Sequence, residues 1–544
     1  MKILLVGINA KYIHSNAAIR LLKAYAEKEN PEIIGKIEIA EYTINNRKEE
    51  ILADIYLKKP DVIMFSCYIW NISLVFSLSK EIPKIMPGAE IWLGGPEVSF
   101  NAEEILEKHS EIKGIMTGEG EESFREVVEK YLKCEKPQQI IAPEKPLNMD
   151  DIPFIYNDEN IKDFENKIIY YESSRGCPFS CSYCLSSATK IVRFLSNERT
   201  KSDLDFFLKH KVKQVKFVDR TFNANHAHSE FVLQYILEND NGITNFHFEI
   251  AGDILTEKEM ELLSKMRPGL AQLEIGVQST NPETLKEIKR VTNLEILKKN
   301  VEEIRKNRNV HQHLDLIAGL PFEDYESFKR SFNDVYKMRP DQLQLGFLKV
   351  LKGSYMAEKV EEYSLKFTES SPYEVLSTKW ISFEEILKLK QVEEMVELYY
   401  NSSQFVNTLK VLETKFKTPF ELYEKLAEFY DAGGYFKNSP ARVYRYNIIL
   451  KFATAYDIKN EALYKELLTY DMYLRENLKS RPDFACDLKP YYQSIKNTLK
   501  DKSIHADVFS YSVWDEEPKL LAEPKIVIFD YNNKDALSNN AGAH

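Results

Sequence analysis

Two blocks of short apolar runs, each alternating with amphipathic stretches, occupy the first two thirds of this 544-residue chain. In residues 1–134 the runs are Ile3–Val6, Ile37–Ala40, Val62–Ser66, Glu90–Leu93 and Gly114–Met116, with helical patterns such as Asn16–Glu29 and Phe100–His109 between them. Across residues 168–355 they are Ile168–Glu172, Gln214–Val218, Phe246–Ile250, Leu273–Val277, Leu314–Ala318 and Leu343–Leu348, separated by patterns such as Pro282–Lys289 and Tyr325–Lys337. Strands that alternate with helices build parallel sheets covered on their faces. The first block therefore predicts an open α/β sheet. The six units of the second predict a partial (β/α)6 TIM-type barrel, with its site at the C-terminal ends of the strands. Residues 135–167 carry Pro137, Pro143, Pro146 and Pro153 and read as an extended linker. Residues 356–544 read as a mainly helical C-terminal domain, with helical patterns at Phe383–Tyr400, Pro419–Tyr430 and Asn460–Leu478 and a late strand-like run at Lys525–Phe529.

The strand ends of the first block carry GINAKYIHS (Gly7–Ser15), SCYIWN (Ser66–Asn71), GGPEV (Gly94–Val98) and TGEGE (Thr117–Glu121), where an open parallel sheet binds its ligands. The net charge of −11 leans against a nucleic-acid partner, which needs a basic field. No apolar run approaches the ~20 residues of a membrane span. The N-terminus turns polar after six residues. Both point to a cytoplasmic protein without a membrane partner.

The chain's six cysteines are unevenly placed. Cys67, Cys134 and Cys486 lie far apart and read as thiols rather than bridges. Cys177, Cys181 and Cys184 sit in SRGCPFSCSYCLS, spaced C-x3-C-x2-C, just after the first barrel strand. A structural zinc site asks for four ligands, and neither a histidine nor a fourth cysteine is near. Thiolates also hold iron–sulfur clusters. Three of them leave one iron of a [4Fe–4S] cluster open to a substrate or cofactor.

This spacing, with Tyr183 before the third cysteine, resembles the radical S-adenosylmethionine (SAM) superfamily. The resemblance implies that SAM chelates the open iron and that one electron cleaves it to methionine and a 5′-deoxyadenosyl radical, which takes hydrogen from an unactivated C–H bond. It also implies an electron donor such as flavodoxin or ferredoxin. The later segments resemble the subgroup of the oxygen-independent coproporphyrinogen oxidases. That likeness implies SAM contacts at Glu249 (ammonium), Gln278 and Asp315 (ribose), Arg290 (carboxylate) and the Gly319 backbone (adenine). A solvated face or a capping carboxylate is the plainer reading of each alone. In place of the family's short glycine-acid motif after the second strand stands FVDRTFN (Phe217–Asn223), which makes Asp219 and Arg220 candidates for substrate contact or for a structural pair.

An α/β domain before such a barrel resembles the cobalamin-binding radical SAM group, with a flavodoxin-like (Rossmann-type) first domain and a corrin between the domains. A D-x-H-x-x-G motif is absent. His14, the only histidine in the first 100 residues, is either a lower ligand or a local packing residue, and Tyr68 and Trp70 either stack on a corrin or fill its place. The whole pattern, from NAKYIHSN to IVIFDYNNKDAL, resembles bacterial queuine lyase. That resemblance implies release of 7-aminomethyl-7-deazaguanine (preQ1) from queuine, with the deazaguanine read by a carboxylate such as Asp253 or Asp219. Two alternatives stand beside it: a cobalamin-dependent radical SAM methyltransferase or ring-rearranging enzyme, and a non-catalytic iron–sulfur sensor or scaffold. The C-terminal domain is expected to cap the open side of the barrel.

Overall fold

The computed structural model describes residues 1–188, 190–478, 480–498 and 504–544. The first sheet contains β1 (Ile3–Asn9), β2 (Ile37–Thr43), β3 (Val62–Ser66), β4 (Glu90–Gly94), β5 (Ile112–Met116) and β6 (Ile140–Ile141), all parallel, in the order β2-β1-β3-β4-β5-β6. Strand β1, ILLVGIN, is buried at every position, as a central parallel strand under two helical layers must be. The order reverses between β1 and β3, the flavodoxin-type switch point at which such folds hold ligands. Asn16 caps the first helix (Ala17–Glu29) by accepting from Ile19 N.

Next come β7 (Ile169–Tyr171), a two-stranded ribbon of β8 (Ser174–Arg175) and β9 (Arg193–Phe194), then β10 (Gln214–Phe217), β11 (Asn245–Ile250), β12 (Ala271–Gln278), β13 (His311–Ala318) and β14 (Gln342–Phe347). Strands β7 and β10–β14 form one parallel six-stranded sheet that runs from β14 to β7 without closing, the expected partial barrel. An open barrel leaves two edges, and each is covered by a flanking region. At β7, Ile168 N donates to Ile13 O at 2.8 Å and Ser15 Oγ to Ile168 O at 3.2 Å. At β14, Asn401 acts as a mock strand: its Oδ1 accepts from Leu343 N and its Nδ2 donates to Leu343 O, both at 2.9 Å. Asn401 ends a π-helical turn, Val396–Asn401, that continues the helix Phe383–Met395.

Residues 135–167 differ from an extended linker. They add β6 to the first sheet and bury Met149, Ile152, Tyr156 and Phe164 in the barrel's core, because apolar side chains recur among and after the prolines. A hairpin of β15 (Lys366–Phe367) and β16 (Val375–Ser377) then crosses the barrel mouth, with Val375 N donating to Leu348 O. The last region is mainly helical, with a short helix Tyr492–Thr498 after Arg475, and ends in an antiparallel sheet of β17 (Ile504–Tyr511), β18 (Leu520–Lys534) and β19 (Ala541–Ala543). Of these, the sequence pattern had marked only the part of β18 at Lys525–Phe529.

Candidate active site

The thiols sit on a loop whose neck is the β8–β9 ribbon. Gly176, at φ +109°, has no room for a side chain: a Cβ there would meet Ile191 O at 2.3 Å. Cys177 and Cys181 are buried and Cys184 half-buried. Cys177 Sγ lies 3.7 Å from Thr221 Oγ1, and Cys181 Sγ lies 3.8 Å from Arg290 Nη1, which also donates to Tyr183 OH at 3.4 Å. Burial pushes the Cys181 thiol up, and the Arg290 guanidinium opposes that shift. The loop is tied to the barrel, since Ser182 N donates to Ile288 O at 2.9 Å and Met356 N to Ser182 O at 2.8 Å.

Around the mouth, Glu249 stands on β11, Gln278 ends β12 and Asp315 lies on β13. Arg290 follows the helix Pro282–Glu287, and its Nη2 donates to Gly276 O. Gln278 adopts φ +73°, and Gly276 beside it leaves space that a Cβ would take from the Gln278 amide. Gln278 Oε1, Arg290 Nε and Asp315 Oδ1 are buried without hydrogen-bond partners. Asp315 Oδ1 is 3.1 Å from His313 Nε2, yet neither atom is aligned for a bond. A polar group left so costs about 1–3 kcal/mol, and these three at one mouth are free to take a polar ligand.

Sequence reasoning missed the layer beneath. Lys216, His247, Glu274 and His313 point into the barrel from β10–β13, and the signal was a polar residue at every second position of FHFEI, QLEIG and HQHLD. Lys216 Nζ lies 3.0 Å from Glu274 and 3.8 Å from Glu249, and His247 Nε2 lies 3.1 Å from Glu274. The bond from His247, with Lys216 adjoining, pulls Glu274 down to about 2. Burial, then repulsion from Glu274 and Glu249, pushes Asp315 up to about 8, and burial with the nearby Glu274 charge raises Glu249. Ligand atoms of Glu274, His313 and Asp315 lie within 4.8 Å of one another, but the Lys216 ammonium already supplies the positive charge a cation would bring.

The remaining sequence candidates part company. Asp219 is fully buried, with Oδ1 accepting from Ser173 Oγ (2.7 Å) and Ser174 Oγ (2.5 Å) and Oδ2 from Ser173 N (3.0 Å). It braces the strand leading to the cysteines and neither faces a ligand nor pairs with Arg220. Asp253 accepts from Asn293 N at 2.7 Å and so holds the segment that follows Arg290, away from the cavity. Arg220 does face the cavity, exposed. Gly319, at φ +85°, lies under Val375, whose Cγ1 would be 2.8 Å from an added Cβ.

That cavity, of about 760 Å³, opens between the strand ends of the first sheet and the barrel mouth. Its wall includes Asn9, His14, Trp70, Gly94, Glu172 and Arg220. The volume falls within the ~300–1,000 Å³ of ordinary ligand sites. His14 Nδ1 is hydrogen-bonded to Tyr170 OH at 2.6 Å. Tyr68 and Trp70 stack at 4.4 Å, and Trp70 Nε1 donates to Ile8 O at 3.0 Å. Gly95 is demanded by its φ of +115° and by Cys67 O, 2.5 Å from a would-be Cβ, rather than by a ligand. The C-terminal region closes the third side: Tyr373 OH donates to Glu97, and Ser371 OH to Ile69 O.

Tested against the groups the sequence implies, three thiols on one loop suit an iron–sulfur cluster, and the three unpartnered atoms suit the polar parts of SAM. For a corrin the cavity is in the right place, at the switch point, with the stacked Tyr68–Trp70 pair in its wall.

Residues 3–128 match the B12 binding domain, residues 171–335 the Radical SAM superfamily, and residues 361–541 a protein of unknown function (DUF4080). The chain is 23% identical to the cobalamin-dependent radical SAM methyltransferase TokK of Streptomyces tokunonensis, over 90% of this chain and 76% of that protein. It is 24% identical to the 2-(S-pantetheinyl)-carbapenam-3-carboxylate methyltransferase of Streptantibioticus cattleyicolor, over 60% of this chain and about half of the relative (52%). Its fold is similar to that of TsrM, a radical S-adenosylmethionine methyltransferase from Kitasatospora setae solved with cobalamin and a [4Fe–4S] cluster, at a TM-score of 0.54 and 14% identity over 66% of this chain and 78% of that one. It is also similar to that of OxsB, a cobalamin-dependent S-adenosylmethionine radical enzyme, at a TM-score of 0.52 and 16% identity over 91% of this chain and 75% of that one.

Proposed function

We propose that this chain, a radical SAM enzyme with a B12-binding domain, methylates a small molecule held in the cavity between its first two domains. The observation that carries the radical SAM part is the meeting of the thiol loop with Arg290 beside the unpartnered atoms of Gln278 and Asp315. Methyl transfer is supported by the names of the relatives, which favour it over the lyase reading.

In this reading Cys177, Cys181 and Cys184 hold a [4Fe–4S] cluster. With SAM bound, that cluster supplies a carbon-centred radical, and a corrin supplies a methyl carrier. The chain's own residues do the rest. Arg290 pairs with the SAM carboxylate in a charge-assisted bond, and Glu249 receives the ammonium. Gln278 and Asp315 hold the ribose hydroxyls, Tyr183 backs Arg290, and the Gly319 backbone runs along the adenine. The β15–β16 hairpin and the loops of the first domain keep water from the mouth. Arg220 offers a guanidinium to the substrate, and a flavodoxin or ferredoxin supplies the electron.

A second reading, queuine lyase, rests on the sequence resemblance, and the cavity of about 760 Å³ lies within the range of ordinary small-molecule sites. Anaerobic reconstitution with iron, sulfide and hydroxocobalamin, followed by SAM and reductant, separates the two. Retained corrin absorbance with S-adenosylhomocysteine formation supports methyl transfer. Conversion of queuine to preQ1 with 5′-deoxyadenosine, and no corrin, supports the lyase. A reduced, SAM-loaded protein that forms neither nucleoside product refutes both and leaves the sensor or scaffold.

A further inference from the structure

The two strands at the neck of the cysteine loop pair Arg175 directly with Arg193. Like charges facing each other across an antiparallel ribbon destabilise it. The neck is nonetheless closed, and a residue of the first domain stands between them. Glu119, the first glutamate of the GEGE segment, places Oε2 3.1 Å from Arg175 Nη1 and bonds Arg193 Nη2 with its other oxygen. Glu121, its side chain 5% exposed, lies 2.8 Å from Arg175 Nη2, and Glu172 takes the remaining edge of that guanidinium at 2.7 and 3.0 Å. Three carboxylates thus face two guanidiniums, and only Glu119 touches both. Two residues beyond Arg175 comes Cys177.

We propose that Glu119 is a positioning residue for the cluster loop: by bridging Arg175 to Arg193 it holds the neck of that loop closed, so that the B12-binding domain serves the thiols whether or not it carries a corrin. The GEGE loop, read from sequence as a ligand loop, is on this account a counter-ion delivered across the domain boundary. The inference rests on the thiols of Cys177, Cys181 and Cys184 being the cluster's ligands. It does not depend on the substrate.

The test follows Glu119→Gln, Arg193→Met and the double variant as full-length protein reconstituted anaerobically with iron and sulfide. Amide hydrogen exchange in peptides from 176–192 and the electron paramagnetic resonance of the reduced cluster, with and without SAM, are the readouts. Glu119→Gln should speed exchange in that loop at least about tenfold, as expected when the bridging partner of a half-buried ion pair is removed, and broaden the SAM-bound signal. Residues 1–116 should exchange as before, whereas a merely structural joint would loosen both sides alike. Adding Arg193→Met, which removes one of the repelling cations, should restore most of the protection. Should Glu119→Gln alone not fold, recovery of a folded, loop-protected chain in the double variant supports the proposal and its continued failure overturns it. Exchange unchanged by Glu119→Gln, or no rescue by Arg193→Met, also overturns it. Neither readout involves turnover, so this failure is distinct from failure of methyl transfer.

Discussion

The protonation of Asp315 gives a prediction that can be worked through. In the ligand-free chain its carboxyl is pushed up to about 8, against an ordinary 3.8, by burial and then by Glu274 and Glu249. If Asp315 receives ribose hydroxyls as a carboxylate, each pH unit below 8 costs about 1.4 kcal/mol to remove its proton before SAM can seat. Binding should then be about fiftyfold weaker at pH 6 than at pH 8, or about 2.3 kcal/mol, and should level off above that. Isothermal titration of the anaerobically reconstituted protein with SAM measures it. Asp315→Asn is the control, because it removes this titration and leaves that of the SAM amine, near ~7.7, in place. The folding linkage runs the other way. The unfolded chain releases this proton first, so the stability contributed by Asp315 is fullest below about pH 4 and declines as pH climbs to 8. Asp315→Asn should therefore raise the melting temperature more at pH 8 than at pH 5. A wild-type affinity that is flat across pH 6–8, or an asparagine variant with the same slope, refutes the reasoning.

Other expectations follow from single contacts. Replacing any one of Cys177, Cys181 or Cys184 by alanine should abolish retention of the cluster, measured as iron per chain and visible absorbance. Gly176→Ala forces a Cβ to within 2.3 Å of Ile191 O at a φ of +109°, so it should lose the cluster while the first domain stays folded, seen by comparing iron content with far-ultraviolet dichroism. Asn401→Leu strips both bonds from the β14 edge at Leu343, and at about 1–3 kcal/mol for each unsatisfied group it should lower the melting temperature by several degrees. Removing the residues after about 360 uncovers the whole of that edge and the barrel mouth, and product formation measured by mass spectrometry should cease.

What the amino-acid order determined by itself was chemistry carried by local spacing and period. Three cysteines within eight residues suggest an iron–sulfur site without any fold, and alternation of strand and helix runs is enough to specify two parallel sheets. Glu249, Gln278, Arg290 and Asp315 each stand at a strand end or beside one, and the structure gathers them at a single mouth, which supports the proposed SAM seat. The rest depended on neighbours distant in the chain. Asp219 reads as a ligand contact until Ser173 and Ser174, 46 and 45 residues away, saturate its carboxylate. Asp253 reads likewise until Asn293 claims it. The prolines of residues 135–167 suggest a loose tether, but whether its apolar residues find a core depends on the barrel wall beside them. Asn401 becomes a mock strand only because β14 is an edge, and Glu119 becomes a counter-ion only because β8 and β9 set two arginines opposite one another. Period and spacing are properties of one segment, whereas burial and charge pairing are properties of what packs against it, and that is decided only when the chain closes on itself.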